Sequence, residues 1–252
     1  KAQASGIHIS CHHLLLIIHH SWDCDMKLTA STLELVFPSI LATLPEFPFG
    51  GSTYRARAFL VRRSGRPNVF VYGSSNIEQH VTEIQSYGEM SYQLLNHRDE
   101  ASKFCNVLSA PVFCHVAEVE DITKKSCKVG ETYDDREHKF GDDLVAYHTP
   151  GHCQGATCFL FKPDSNDNPQ ASVLFTGDTL YGKGNNELGY SMAFHTYSND
   201  VSDMMNSLKL IQQLKPTVII PGLTMTEQAV YPFEEENIDR LLSKLTAGHR
   251  ST

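Results

Sequence analysis

The sequence is poor in basic charge, in long apolar runs and in patterned cysteine. Lys and Arg number 21 against 29 Asp and Glu, a formal charge of -8. A phosphate backbone is bound by clustered cations that displace its counterions, so nucleic acid is not an expected partner. Arg55, Arg57, Arg62, Arg63 and Arg66 alternate with apolar residues and read as the solvated face of two strands. No stretch reaches the ~20 apolar residues of a membrane span, and Leu14–Ile18 is short and flanked by His. The seven cysteines contain no CxxC pair and no regular framework, which argues against a disulfide scaffold. They read as small buried hydrophobes in a reducing, cytoplasmic setting.

What is present is an ordinary globular composition, 41% hydrophobic and 20% charged over 252 residues, enough for one large α/β domain. Residues 1–25 show neither helical nor strand periodicity and read as an unstructured or non-native leader, with natural translation starting near Met26. Residues 26–252 then form a single domain. Tyr54–Arg62 and Asn68–Tyr72 flank SGRP and predict a hairpin. Ile77, Val81, Ile84 and Tyr87 predict an amphipathic helix over 77–88, and residues 99–108 also read as helical. Ser91–Leu95, Pro111–Val116, Leu144–His148, Thr157–Lys162, Ser172–Thr176 and Thr217–Ile220 read as strands. Long helices are expected over 200–214 and 234–245. Strands alternating with helices in two halves suggest two sheets packed face to face with helices outside.

Two strand ends carry the chemistry. The first is Tyr147-His148-Thr149-Pro150-Gly151-His152-Cys153-Gln154-Gly155-Ala156, a strand running into a Pro-Gly turn that presents an imidazole. The second is Phe175-Thr176-Gly177-Asp178-Thr179, where a glycine frees the backbone to aim a carboxylate. Neutral imidazole and carboxylate suit zinc or iron. Either motif alone is commonplace, since a single His is usually structural and Gly-Asp is a frequent turn. A third position of interest is the strand end Leu95-Asn96-His97-Arg98-Asp99-Glu100-Ala101-Ser102.

In this order and spacing the motifs resemble the metallo-β-lactamase superfamily, over about Tyr54–Gly222. The resemblance implies an αββα four-layer sandwich of two mixed β-sheets flanked by helices. It also implies a metal site at His97, Asp99, His152 and Asp178. The superfamily's HxHxDH motif is degenerate here: His97 matches the first ligand, Asp99 stands for the second His, and Ala101 and Ser102 replace the donors of a second metal. Leu223 stands where another ligand His is expected. The resemblance therefore implies one ion per chain, zinc or iron, or none.

Two functions stay open. One is a metal-dependent hydrolase of an ester, lactone or thioester, with Asp178 and Glu100 as catalytic groups and a small molecule as substrate. The other is an inactive binding protein on the same scaffold. For Glu100 the bland reading is an exposed carboxylate in the first turn of a helix. His115 and His195 are further candidates to complete a ligand set, while His148 is expected to point away from the cleft. Oligomeric state is not legible.

Overall fold

The structure is a computed structural model that describes residues 33–49, 53–75, 77–163, 171–192 and 200–249. The expected leader, Met26, Cys11, Cys24 and His195 lie outside these residues. All described residues fall in one compact unit.

Strand formation follows the β-branched and aromatic runs. In one seven-stranded sheet the order is Glu34–Phe37, Ile40–Ala42, Phe59–Val61, Asn68–Val71, Met90–Leu94, Val112–His115 and Val129–Tyr133. Pairing is antiparallel through the first four strands and parallel thereafter. The second, six-stranded sheet runs Tyr231–Pro232, Val218–Pro221, Val173–Gly177, Thr157–Phe161, Leu144–His148 and Glu137–Lys139. Both sheets are thus mixed, since Val173–Gly177 pairs parallel with Val218–Pro221 and antiparallel with Thr157–Phe161.

Side-chain alternation explains how the sheets stack. Leu144, Ala146, Phe159, Phe161, Val173 and Phe175 pack with Phe59, Phe70 and Val71 of the other sheet in one buried core. The intervening Cys158, Leu160 and Leu174 face the opposite way, onto Met204, Leu208 and Ile211 of one helix and Ile238, Leu241 and Leu245 of another. Taking the helices in chain order, these are α3 (Asp200–Leu214) and α4 (Glu235–His249), preceded by α1 (Val81–Ser86) and α2 (Val119–Lys124). On the far side of the seven-stranded sheet, Val112 and Cys114 pack with Ile122 of α2 and with Cys105 and Cys127. The layers are helix, sheet, sheet, helix, as expected. All five described cysteines are buried and free. Among the described residues no helix is long and apolar enough to cross a membrane.

The structure corrects three local expectations. Tyr54–Arg62 is not one strand: Arg55–Ala56 pairs with Leu223–Thr224 in a separate four-stranded sheet, and only Phe59–Val61 joins the main sheet. Residues 99–108 form no α-helix but two 3-10 turns, Arg98–Glu100 and Cys105–Leu108. The predicted helix at 77–88 opens as a 3-10 turn, Ile77–Gln79, before α1. The first run is divided because its two parts pair in different sheets.

One buried hydroxyl ties the sheets together beside the second motif. Tyr72, 1% exposed, donates to the Ile220 carbonyl at 3.0 Å and accepts from the Gly177 N–H at 2.7 Å. Tyr72→Phe leaves both backbone groups buried without that partner, and is expected to cost ~1–3 kcal/mol. Urea unfolding of the variant, read by its midpoint, checks this; an unchanged midpoint contradicts it.

Candidate metal centre

Three strand ends meet on one edge of the sandwich. Met90–Leu94 leads into His97, Leu144–His148 into the turn bearing His152, and Val173–Gly177 into Asp178. Polar side chains at strand ends escape the apolar interlayer, and Leu144–His148 and Val173–Gly177, both antiparallel to the strand between them, run the same way and end on the same edge.

Asn96 stitches these ends together. Its side-chain amide donates to the carbonyls of Thr157 and Thr176, and its carbonyl accepts from Thr157 N–H at 3.1 Å. Gly177 adopts a φ of +51°, and a Cβ there would lie 2.0 Å from the Asn96 side chain. Only glycine fits that close approach.

His97 and His152 are both buried, at 1% and 4% exposure, with ring centroids 4.6 Å apart in an edge-to-face arrangement. Asp178 Oδ2 lies 3.4 Å from His97 Nε2 and 3.9 Å from His152 Nε2. His152 Nδ1 is held by the Ser191 carbonyl at 3.1 Å, which leaves Nε2 facing Asp178. His97 Nδ1 accepts the Asp99 N–H at 3.2 Å, the opposite tautomer, which places a proton on Nε2 facing Asp178. Neither Nε2 has a well-formed hydrogen bond, although both are buried. Buried polar atoms without partners are uncommon, and two that converge on a carboxylate fit a cation between them.

Asp99 belongs to the cluster from the other side. One donor atom each from His97, Asp99 and His152 lies within 4.8 Å of the others. Asp99 Oδ2 is 3.8 Å from His97 Nδ1, whereas Asp178 sits at Nε2. The two carboxylates therefore flank opposite edges of one imidazole. Asp99 is half exposed and its Oδ1 accepts from Lys125 Nζ at 2.9 Å.

Glu100 departs from the bland expectation. It closes the short 3-10 turn instead of opening a helix, and its side chain is only 10% exposed. Oε2 accepts from Asn96 N–H at 2.7 Å, while Oε1 is buried without a hydrogen bond, 3.8 Å from His97 Nε2. The turn curls Glu100 back over the strand end, so the carboxyl enters the cluster.

The charges are interlocked. Burial opposes a charge on His97, but Asp178, Glu100 and Asp99 outweigh it and lift the imidazole to about 9. Burial and the neighbouring His97 push His152 down to about 4. Burial and Asp178 push Glu100 up to about 8 against the pull of His97, so it holds its proton at neutral pH. Burial opposes ionisation of Asp178 too, yet the two imidazoles keep it below the usual carboxylate range.

A cavity of about 440 Å³ opens beside the cluster, lined by His97, Asp99, Glu100 and Asp178 on one side and Pro48, Phe49 and Leu223 on another. Ala101 and Ser102 also line it, so the positions that lack donors face the same space. His115 is elsewhere: its ring stacks on His148 at 4.1 Å and 11°, beside a separate cavity that also includes Asp134 and Arg136. His148 is directed away from the cluster, as expected, with Nε2 2.7 Å from the Gln154 carbonyl. Asn96, Arg98 and Glu118 shape the site but were not legible from spacing, because structural Asn, Arg and Glu have no motif of their own.

Comparison with known proteins bears on the fold and on part of the sequence. Residues 101–223 match the sequence model of the metallo-beta-lactamase superfamily, a span that holds His152 and Asp178. A hydroxyacylglutathione hydrolase of Bartonella henselae is 32% identical over 77 residues, 31% of this chain and 24% of that protein. The chain thus aligns with about a quarter of that relative. Among solved structures, VMB-1 superposes with a TM-score of 0.64 at 13% identity, covering 86% of this chain and 97% of the other. The DIM-1 metallo-beta-lactamase gives 0.63 at 14% identity over 86% and 97%. A metallo-beta-lactamase from Pontibacter korlensis gives 0.61 at 13% over 85% and 98%. The chain has the metallo-β-lactamase fold, and its residues 101–223 carry the sequence pattern of that superfamily.

Proposed function

We propose that the chain is a hydrolase of an ester, lactone or thioester that works with one divalent ion, zinc or iron, per chain. The observation that carries this reading is the pair of buried, unpartnered Nε2 atoms of His97 and His152 converging on Asp178. His97, His152 and Asp178 would hold the ion, with Asp99 completing the set or orienting His97 from its Nδ1 edge. A divalent ion bound there supplies Lewis acidity: it polarises a scissile carbonyl and acidifies water to a pKa of ~7.

The chain's own residues supply the rest. Glu100 lies next to the cavity with Oε1 free of hydrogen bonds, placed to take a proton from water and to return it to a leaving group. Phe49, Pro48 and Leu223 give the cavity an apolar wall that shields the acyl group from bulk water. The name of the Bartonella relative, a hydrolase of a glutathione thioester, favours thioesters within the three classes.

Ala101, Ser102 and Leu223, which offer no imidazole or carboxylate, favour the second reading, a binding protein without turnover. Purified protein stripped of metal separates the two. Added Zn²⁺ is expected to raise the melting temperature and to restore thioesterase or esterase activity, with His152→Ala and Asp178→Asn abolishing both and His115→Ala neither. Metal-dependent stabilisation without turnover of any of the three substrate classes would favour the binding protein; no stabilisation would remove the metal reading.

Metal affinity should also depend on pH. His97 carries a proton up to about 9 in the metal-free chain, so metal must displace it. The raised imidazole means the competing proton is fully present below neutral pH and lost as pH rises toward 9. Apparent Zn²⁺ affinity, measured by chelator competition, should climb about tenfold per pH unit between 6 and 8 for each proton released. A flat profile would contradict the assignment of His97 as a ligand.

A further inference from the structure

We infer that the buried Glu118–Arg98 pair is the positioning element of the metal centre, locking the segment that carries His97 and Asp99 to the turn that carries His152. The inference rests on the reading of the cluster as a metal site. Glu118 ends a 3-10 turn ahead of α2, and its side chain is 0% exposed.

Its carboxylate collects donors from both ligand-bearing segments. Arg98 donates its backbone N–H at 3.0 Å, Nε at 2.7 Å and Nη2 at 2.9 Å. From the other side the Gly155 N–H donates at 2.8 Å. Arg98 lies between His97 and Asp99, and Gly155 lies three residues beyond His152. A buried carboxylate is tolerable only when its lone pairs are filled, so the folded state requires both segments to be in place at once.

Further contacts hold the clamp from outside. Arg98 Nη1 pairs with Asp121 on α2, and Lys125 Nζ donates to the Arg98 carbonyl and to Asp99 Oδ1, each at 2.9 Å. At Gly155 a Cβ would lie 2.6 Å from Glu118 Cγ, so a side chain there would push the carboxylate off its donors. Glu118 and Arg98 do not line the cavity beside Asp178. They act on the site through the loops they join and are positioning residues, outside the reacting groups.

Cobalt(II) titration followed by its visible absorption tests this, using the wild-type chain with E118Q, R98K, G155A and, as a control, the exposed K139A. E118Q converts an acceptor into a donor that faces Arg98. It should keep the wild-type far-UV circular dichroism, bind Co(II) about 10–100-fold more weakly and show a shifted ligand-field band. R98K and G155A should shift affinity and band in the same direction, and they decide the matter if E118Q does not fold. K139A should match wild type. Folded R98K and G155A chains with wild-type affinity and spectrum would overturn the inference. If the wild-type chain itself binds no Co(II), the metal reading falls, and the inference falls with it.

Discussion

Face-to-face packing of two mixed sheets is the constraint on which the rest depends. Phe59, Phe175 and Tyr72 interlock across the interlayer with ring centroids 5.7–6.0 Å apart. Aromatic contacts of this kind fix the rotation of one sheet on the other as well as their spacing. Once that rotation is fixed, the ends of Met90–Leu94, Leu144–His148 and Val173–Gly177 come to one edge, and the Tyr72 hydroxyl joins the Gly177 and Ile220 backbones there. The site inherits its rigidity from the core.

Around that edge several polar groups are tied into hydrogen bonds: Asn96 uses its side-chain N–H groups on the Thr157 and Thr176 carbonyls and its backbone carbonyl on the Thr157 N–H, and Glu118 uses its carboxylate on Arg98 and Gly155. Against this background, the bare Nε2 atoms of His97 and His152 and the bare Oε1 of Glu100 stand together. These three converge on one place beside Asp178, which is the behaviour expected of ligand-binding groups. The mutual shifts of His97, Glu100 and Asp178 have the same origin: buried groups of both signs lie within a few ångströms and act as one another's counter-charges.

Much of the scaffold was legible because its signals are local. Leu144–His148 and Asp200–Leu214 occur with the bounds expected from their apolar patterns. The errors fell where tertiary contacts divide a run, as at Arg55–Ala56 and Phe59–Val61, or where a polar segment wraps a strand end, as at Arg98–Glu100. Strands with mixed polarity, such as Val129–Tyr133 and Leu180–Gly184, escaped notice because their pairing, and not their own pattern, makes them strands.

The sequence by itself carried the alternation of strands and helices that stacks two sheets between helices, because that periodicity is written in adjacent residues. The candidates His97, His152 and Asp178, and the lack of further donors at Ala101, Ser102 and Leu223, came from the resemblance carried by the strand-end motifs. Only the tertiary structure decided that Asp99 and Asp178 approach different nitrogens of His97, that Glu100 turns inward, and that His115 stacks on His148 away from the cluster. Those outcomes depend on side-chain direction and on contacts between residues 20 to 80 positions apart, as in Arg98 with Glu118 and Asn96 with Thr176. Sequence spacing carries no record of either.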